Sequence, residues 1–162
     1  MIIVGYSGIG KTSCNYSDYI DLESSSFYVN EKRINDWYKV YVNVAENLSN
    51  QNYCVFISSH KLVREELNRR NIDFVVICPS LKMKEFWINK LKERYETTNC
   101  DKDYKSLKYV QEFYDENISD LMNEKNCHVI DNSDYNLKNI VHDIRMFSAM
   151  NKFKEIKVKS NI

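Results

Sequence analysis

The chain has 162 residues, 43% of them hydrophobic and 28% charged, with 23 Lys plus Arg against 23 Asp plus Glu. That length makes one domain with room for a substantial core, and the balanced charge excludes a chain built to coat nucleic acid. No apolar run reaches the roughly 18 residues of a membrane span, and "MIIVG" reads as a strand rather than a leader, so the expectation is a cytoplasmic chain with no membrane partner.

Residues 1–5 form a short apolar strand leading into a glycine loop, with a brief helix expected from Lys11 to about Tyr16. A second strand, "YIDL" at 19–22, ends in "ESSS". From Asn30 to about Asn50 the positions Ile34, Trp37, Tyr38, Tyr41, Val44, Ala45 and Leu48 recur at three and four, the pattern of an amphipathic helix. The third strand is "YCVFIS", 53–58, followed by a helix over "HKLVREELNRRN" and a fourth strand, "FVVIC", 74–78. Two helical stretches, about 81–98 and 104–124, are broken by "TTNCDKD"; "CHVID", 127–131, is a last strand and "YNLKNIVHDIRMFSAM" a closing helix. Strand and helix alternate throughout, the pattern of a parallel sheet covered on both faces. The domain reads as residues 1–150, with a lysine-rich tail over 151–162.

The five cysteines, Cys14, Cys54, Cys78, Cys100 and Cys127, are odd in number and lack any CxxC or Cys/His ligand spacing, so they read as small core residues of a reducing compartment.

All three glycines fall at Gly5, Gly8 and Gly10. Gly5-Tyr6-Ser7-Gly8-Ile9-Gly10-Lys11-Thr12 fits G-x-x-x-x-G-K-[ST] at every defined position, after a strand and before a helix-compatible segment. Glycines let the backbone turn with positive φ and approach phosphates closely. Ser7, Gly8, Ile9, Gly10, Lys11, Thr12 and Ser13 are therefore the expected nucleotide-binding set, their N–H groups aimed at the β-phosphate with help from the positive end of the following helix. Lys11 would bridge the β- and γ-phosphates and the Thr12 hydroxyl would bind Mg²⁺. With every glycine spent by position 10, a GTPase D-x-x-G switch and a glycine-rich transporter signature are both excluded, and the strand ends "ISSH" and "ICPS" lack the Asp-Glu of mechanical ATPases.

On that motif and element order the chain resembles the P-loop kinases of the nucleoside monophosphate kinase, shikimate kinase and gluconate kinase group. More loosely, through "IDLESS" and "SSH", it is similar to small P-loop kinases of bacteriophages and Firmicutes. The resemblance implies an α/β fold, a three-layer α/β/α P-loop domain with a five-stranded parallel sheet in the order 2-3-1-4-5. It also implies a helical acceptor region after the second strand and a basic helical lid over about 81–124.

Ligands in such sheets collect beyond the carboxyl ends of the strands. Asp21 and Glu23 follow the second strand, Ser58, Ser59 and His60 the third, and Asn132, Ser133, Asp134 and Tyr135 the fifth. Asp21 is expected to orient or deprotonate an acceptor hydroxyl, or to hold the magnesium shell, or else to cap the serine turn. Glu23 shares that task or caps the same turn; His60 is a crevice residue or simply the start of the third helix. An acceptor phosphate would call for arginines, and Arg33 and Arg64 are the candidates, with Trp37 and Ser59 on the same side. In the lid, Lys90 and Arg94 lie four apart, placing both on one helix face where they would close on the transferring phosphoryl group. Trp37 and Trp87 read either as core residues or as platforms for a base.

These residues lead to an ATP- and Mg²⁺-dependent kinase with catalytic Lys11, Asp21 and Arg94 and metal-binding Thr12 and Asp21. Its expected acceptor is a nucleoside or deoxynucleoside monophosphate. The alternatives are a hydroxyl acceptor, whether a nucleoside, a polynucleotide 5′-end or a small metabolite, and a regulatory nucleotide-binding module.

Overall fold

The computed structural model describes residues 1–14, 17–29 and 32–159. Tyr16, the expected end of the first helix, and Asn30, the expected start of the second, lie outside the described residues, as do positions 160–162 of the expected tail.

Five strands form one parallel sheet: β1 (Ile2–Gly5), β2 (Tyr19–Asp21), β5 (Cys54–Ser58), β6 (Phe74–Pro79) and β7 (Cys127–Ile130), in the spatial order β2-β5-β1-β6-β7. Counting only these five strands, this is the expected order 2-3-1-4-5. β1 is central, with Ile2 opposite Val55 on one side and Phe74 on the other. Its residues are buried because neither sheet face beside it meets solvent, which is why the central strands read as unbroken apolar runs rather than alternating ones. Cys14, Cys54 and Cys78 are buried, and all five cysteines are free thiols.

Five helices complete the domain: α1 (Trp37–Asn50), α2 (Lys61–Arg69), α3 (Lys84–Thr98), α4 (Asp101–Met122) and α5 (Leu137–Lys159). α1 packs on α2, α3 on α4, and α4 on β6 and β7. α5 gives Leu137 and Val141 to the core, and its Arg145 reaches Asp18 before β2 at 2.6 Å. The helix takes in most of the segment expected as a tail. Among the described residues no helix is long and apolar enough to cross a membrane.

Helix α1 starts at Trp37, later than its periodicity suggests. An antiparallel hairpin of β3 (Tyr28–Val29) and β4 (Lys32–Arg33) precedes it, and Asp36 at φ 54° breaks the chain direction just before the first turn. Arg33 therefore sits on a strand, not at a helix start, and Ile34 is exposed. The break between α3 and α4, the helices expected to form a lid, is also shorter than expected, only Asn99 and Cys100.

Three helices end on asparagine in the left-handed region: Asn52 (φ 70°) after α1, Asn71 (φ 53°) after α2 and Asn99 (φ 47°) after α3. That position usually takes glycine. Here all three glycines lie in one loop, and asparagine, the residue best able to tolerate the conformation, stands in. α4 bends at Phe113 (φ −116°, ψ 17°), where Asn117 Nδ2 donates to the Phe113 carbonyl at 2.8 Å and intrudes on the helical ladder.

Candidate functional site

The glycine loop leaves the carboxyl end of the central strand, where the positive φ of Gly8 (83°) and Gly10 (93°) turns it. A side chain at Gly8 is disfavoured twice, since its Cβ would also crowd Leu91 Cδ2 at 3.0 Å and Trp87 Nε1 at 3.2 Å. The loop ends in a single 3₁₀ turn, Lys11–Ser13. Three residues align too few peptide dipoles to act as a helix terminus, so the expected dipole support is missing. The physical cause is local: "TSCNYSD" is rich in Ser, Asn and Asp, whose side chains compete for the backbone and favour turns.

Lys11 Nζ lies 3.9 Å from Asp21 Oδ1. Asp21 is the last residue of β2, held in register opposite Phe56 of β5. Both of its carboxylate oxygens are buried and, among the described residues, neither has a hydrogen-bond partner. Burial raises the Asp21 carboxyl pKa, opposed by the Lys11 charge. Burial lowers that of Lys11, opposed by Asp21 and Glu23. The strand ends that frame this pair are fixed by Tyr41, whose hydroxyl donates to the Leu22 carbonyl at 2.6 Å and accepts from Ser58 N at 2.9 Å. The Ser58 hydroxyl is buried and, among the described residues, has no hydrogen-bond partner.

These oxygens suit magnesium, a hard cation that takes one or two carboxylates and fills its shell with water and phosphate oxygens. Asp21 and the exposed Thr12 are the residues that would hold such an ion. Among the described residues no three His, Cys, Asp or Glu side chains form a cage of their own.

Arg33, Trp37 and His60, all expected on the acceptor side, come together. The Arg33 guanidinium stacks 3.9 Å from the Trp37 ring centre, and Arg33 Nη2 lies 3.0 Å from His60 Nε2. The His60 ring meets Trp37 edge-on at 5.5 Å. Lost hydration in the crevice, then the charges of Arg33 and Lys11, push the His60 imidazole down to about 4. At neutral pH it is therefore uncharged, and Nε2 accepts from Arg33 while Nδ1 carries the proton.

Arg64 is not brought to this crevice. It is buried on α2, its guanidinium bonded to Asp120 of α4 and to Glu124 just past that helix, and its Nε donating to the Ser59 carbonyl at 3.3 Å. An arginine needs all five donors satisfied once buried, and these acceptors lie on the helix side. Ser59 is thus tied into this strut by its backbone. Glu23 is engaged by Lys102 of α4 at 3.1 Å, a residue with no motif to single it out, carried over the loop by the tip of the α3–α4 pair.

Lys90 and Arg94, four apart on α3, have different partners. Arg94 pairs with the buried Asp103, which also accepts from Thr98 Oγ1 at 2.7 Å; its charge still reaches Lys11. Lys90 donates to the Tyr135 hydroxyl and lines a cleft of about 590 Å³ beside the loop, shared by Gly10, Ser13, Glu93, Ser133 and Asn136. Trp87 is fully buried and belongs to the core. The residues after β7 were legible only as strand-end groups; their meeting with α3 depends on how α3 folds back. Compared with known proteins, the chain matches no family model, no curated protein and no solved structure.

Proposed function

We propose that this chain is a magnesium- and ATP-dependent phosphotransferase of the P-loop kinase kind, acting on an acceptor hydroxyl. The observation that carries this reading is the buried Asp21 carboxylate, without a hydrogen-bond partner among the described residues and paired with Lys11 at 3.9 Å, at the mouth of the glycine loop. The pair sets a cation suited to phosphate oxygens opposite a carboxylate suited to a hydroxyl proton.

In this reading the loop N–H groups and Lys11 hold the donor phosphates, with Arg94 and Lys102 adding positive charge at the edge of the site. Asp21 accepts a hydrogen bond from the acceptor hydroxyl and takes its proton as the oxygen attacks phosphorus. Its burial raises its basicity toward what that task needs. Thr12 and Asp21 would hold Mg²⁺, which neutralises charge on the phosphates. The cleft lined by Lys90 and Ser133 accommodates the donor's nucleoside.

The withdrawal of Arg64 favours a hydroxyl over a phosphate acceptor, because a phosphate dianion beside Asp21 would be repelled without arginine forks to offset it. A second reading, a nucleoside or deoxynucleoside monophosphate acceptor, is favoured by Arg33 stacked on Trp37 in the crevice. ADP release from Mg-ATP, measured against nucleosides, 5′-hydroxyl oligonucleotides, small hydroxy metabolites and the NMP and dNMP series, separates them. Stimulation by a hydroxyl compound is the expected result. Stimulation by monophosphates alone would replace it with the second reading, and ATP binding with no stimulation across the panel would favour a regulatory module.

A further inference from the structure

The glycine loop runs into a 3₁₀ turn of only three residues, Lys11–Ser13, yet both its flanks are held. From α3, Trp87 donates Nε1–H to the Ser7 carbonyl at 2.7 Å. From the segment after β7, Tyr135 donates its hydroxyl to the Ile9 carbonyl at 3.2 Å, and that hydroxyl accepts in turn from Lys90. The two rings stack, centres 5.8 Å apart and 18° from parallel. Lys90 Nζ lies 4.9 Å from the Trp87 ring centre and 4.8 Å from that of Tyr135, tying them further.

In a trans peptide the carbonyl and the next residue's N–H point in opposite directions. Fixing the Ser7 carbonyl toward Trp87 therefore fixes the Gly8 N–H on the other side, and fixing the Ile9 carbonyl toward Tyr135 does the same for Gly10. Both glycines have positive φ and no side chain to restrain them, so without these bonds their peptide planes would be the freest in the loop.

We infer that Trp87 and Tyr135 form an aromatic clasp that presets the Gly8 and Gly10 N–H groups toward the phosphates before the donor binds, a role that a helix terminus would otherwise fill. They are positioning residues, acting through the backbone rather than on the substrate. The inference rests on the phosphotransferase reading.

Labelling with ¹⁵N-glycine tests it, since the chain has only three glycine amides. The wild type should show three single sharp resonances and bind ADP. Trp87→Phe, which keeps a ring but loses the N–H, should broaden or split the Gly8 signal, and Tyr135→Phe, which keeps volume, should do so for Gly10. Gly5 should stay sharp in both as a control on the fold, and ADP affinity should fall about tenfold in each. Unchanged Gly8 and Gly10 signals would overturn the clasp, as would altered signals with unchanged affinity. A wild type that binds no ADP would instead sink the phosphotransferase reading, and the clasp's purpose with it.

Discussion

Lys11 and Asp21 face each other at 3.9 Å across the ends of two strands that are not neighbours in the sheet, β1 and β2, with β5 between them. Neither charge is neutralised by a hydrogen bond to the other, and burial works against both. Removing either should therefore affect chemistry more than folding. Lys11→Ala is expected to lower phosphoryl transfer by about 10²–10³-fold with the circular dichroism spectrum unchanged. Asp21→Asn should lose transfer by about 10²–10⁴-fold while binding ATP within a few-fold of wild type. Equal turnover in Lys11→Ala would remove the loop from the mechanism.

The same burial makes a stability prediction. Asp21 has a folded-state pKa raised above its unfolded value, so its contribution to stability is fully present below about pH 3.9, the ordinary value for Asp, and is lost as pH rises through the folded pKa. Asp21→Asn should accordingly melt higher than wild type at pH 7, with the advantage shrinking on acidification. His60 runs the other way: held at about 4 against an ordinary 6.5, its contribution is present above pH 6.5 and lost as pH falls toward 4. Melting temperatures of His60→Gln against wild type between pH 4 and 7 would show it; parallel curves would count against a neutral His60.

Arg64 joins α2 to Asp120 of α4 and to Glu124 in the turn that follows it. Arg64→Leu leaves Glu124, which is largely buried, without its cation. Because Asp120 remains half open to solvent, the loss should be about 2 kcal/mol rather than the full cost of a buried pair, lowering the melting temperature by about 4–8 °C. The acceptor KM should not move. A raised acceptor KM with unchanged stability would return Arg64 to the acceptor site.

Asn52, Asn71 and Asn99 each hold a left-handed backbone that glycine adopts without steric cost. Glycine also loses more chain entropy on folding, so the net gain is about 0.5 kcal/mol per site. The triple Asn→Gly variant should melt about 3–6 °C higher, with ATP binding unaffected, by differential scanning calorimetry.

Much of this was legible along the chain because it is local. The glycine loop is a contiguous motif, the buried strands are short apolar runs, and their alternation with helices specifies a parallel sheet, which the structure bears out; the strand order, implied only by the resemblance, also holds. Asp21 was legible too, as the carboxylate ending a strand. The hairpin before α1 was missed because its two strands are two residues long, too short for alternation to register, and the helical spacing from Ile34 onward overran it.

The arginines, the clasp and the cation over the site depended on contacts between residues far apart in sequence. Arg64 looked like a crevice residue by its place one turn into α2, but two acids some sixty positions away claim its guanidinium. Trp87 and Tyr135 meet the loop only because α3 folds back across it, and Lys102 arrives with the tip of the same pair. Side-chain charge and hydrogen-bonding capacity are fixed by residue type; which partner satisfies them is settled by competition among every group that packing brings within about 3 Å.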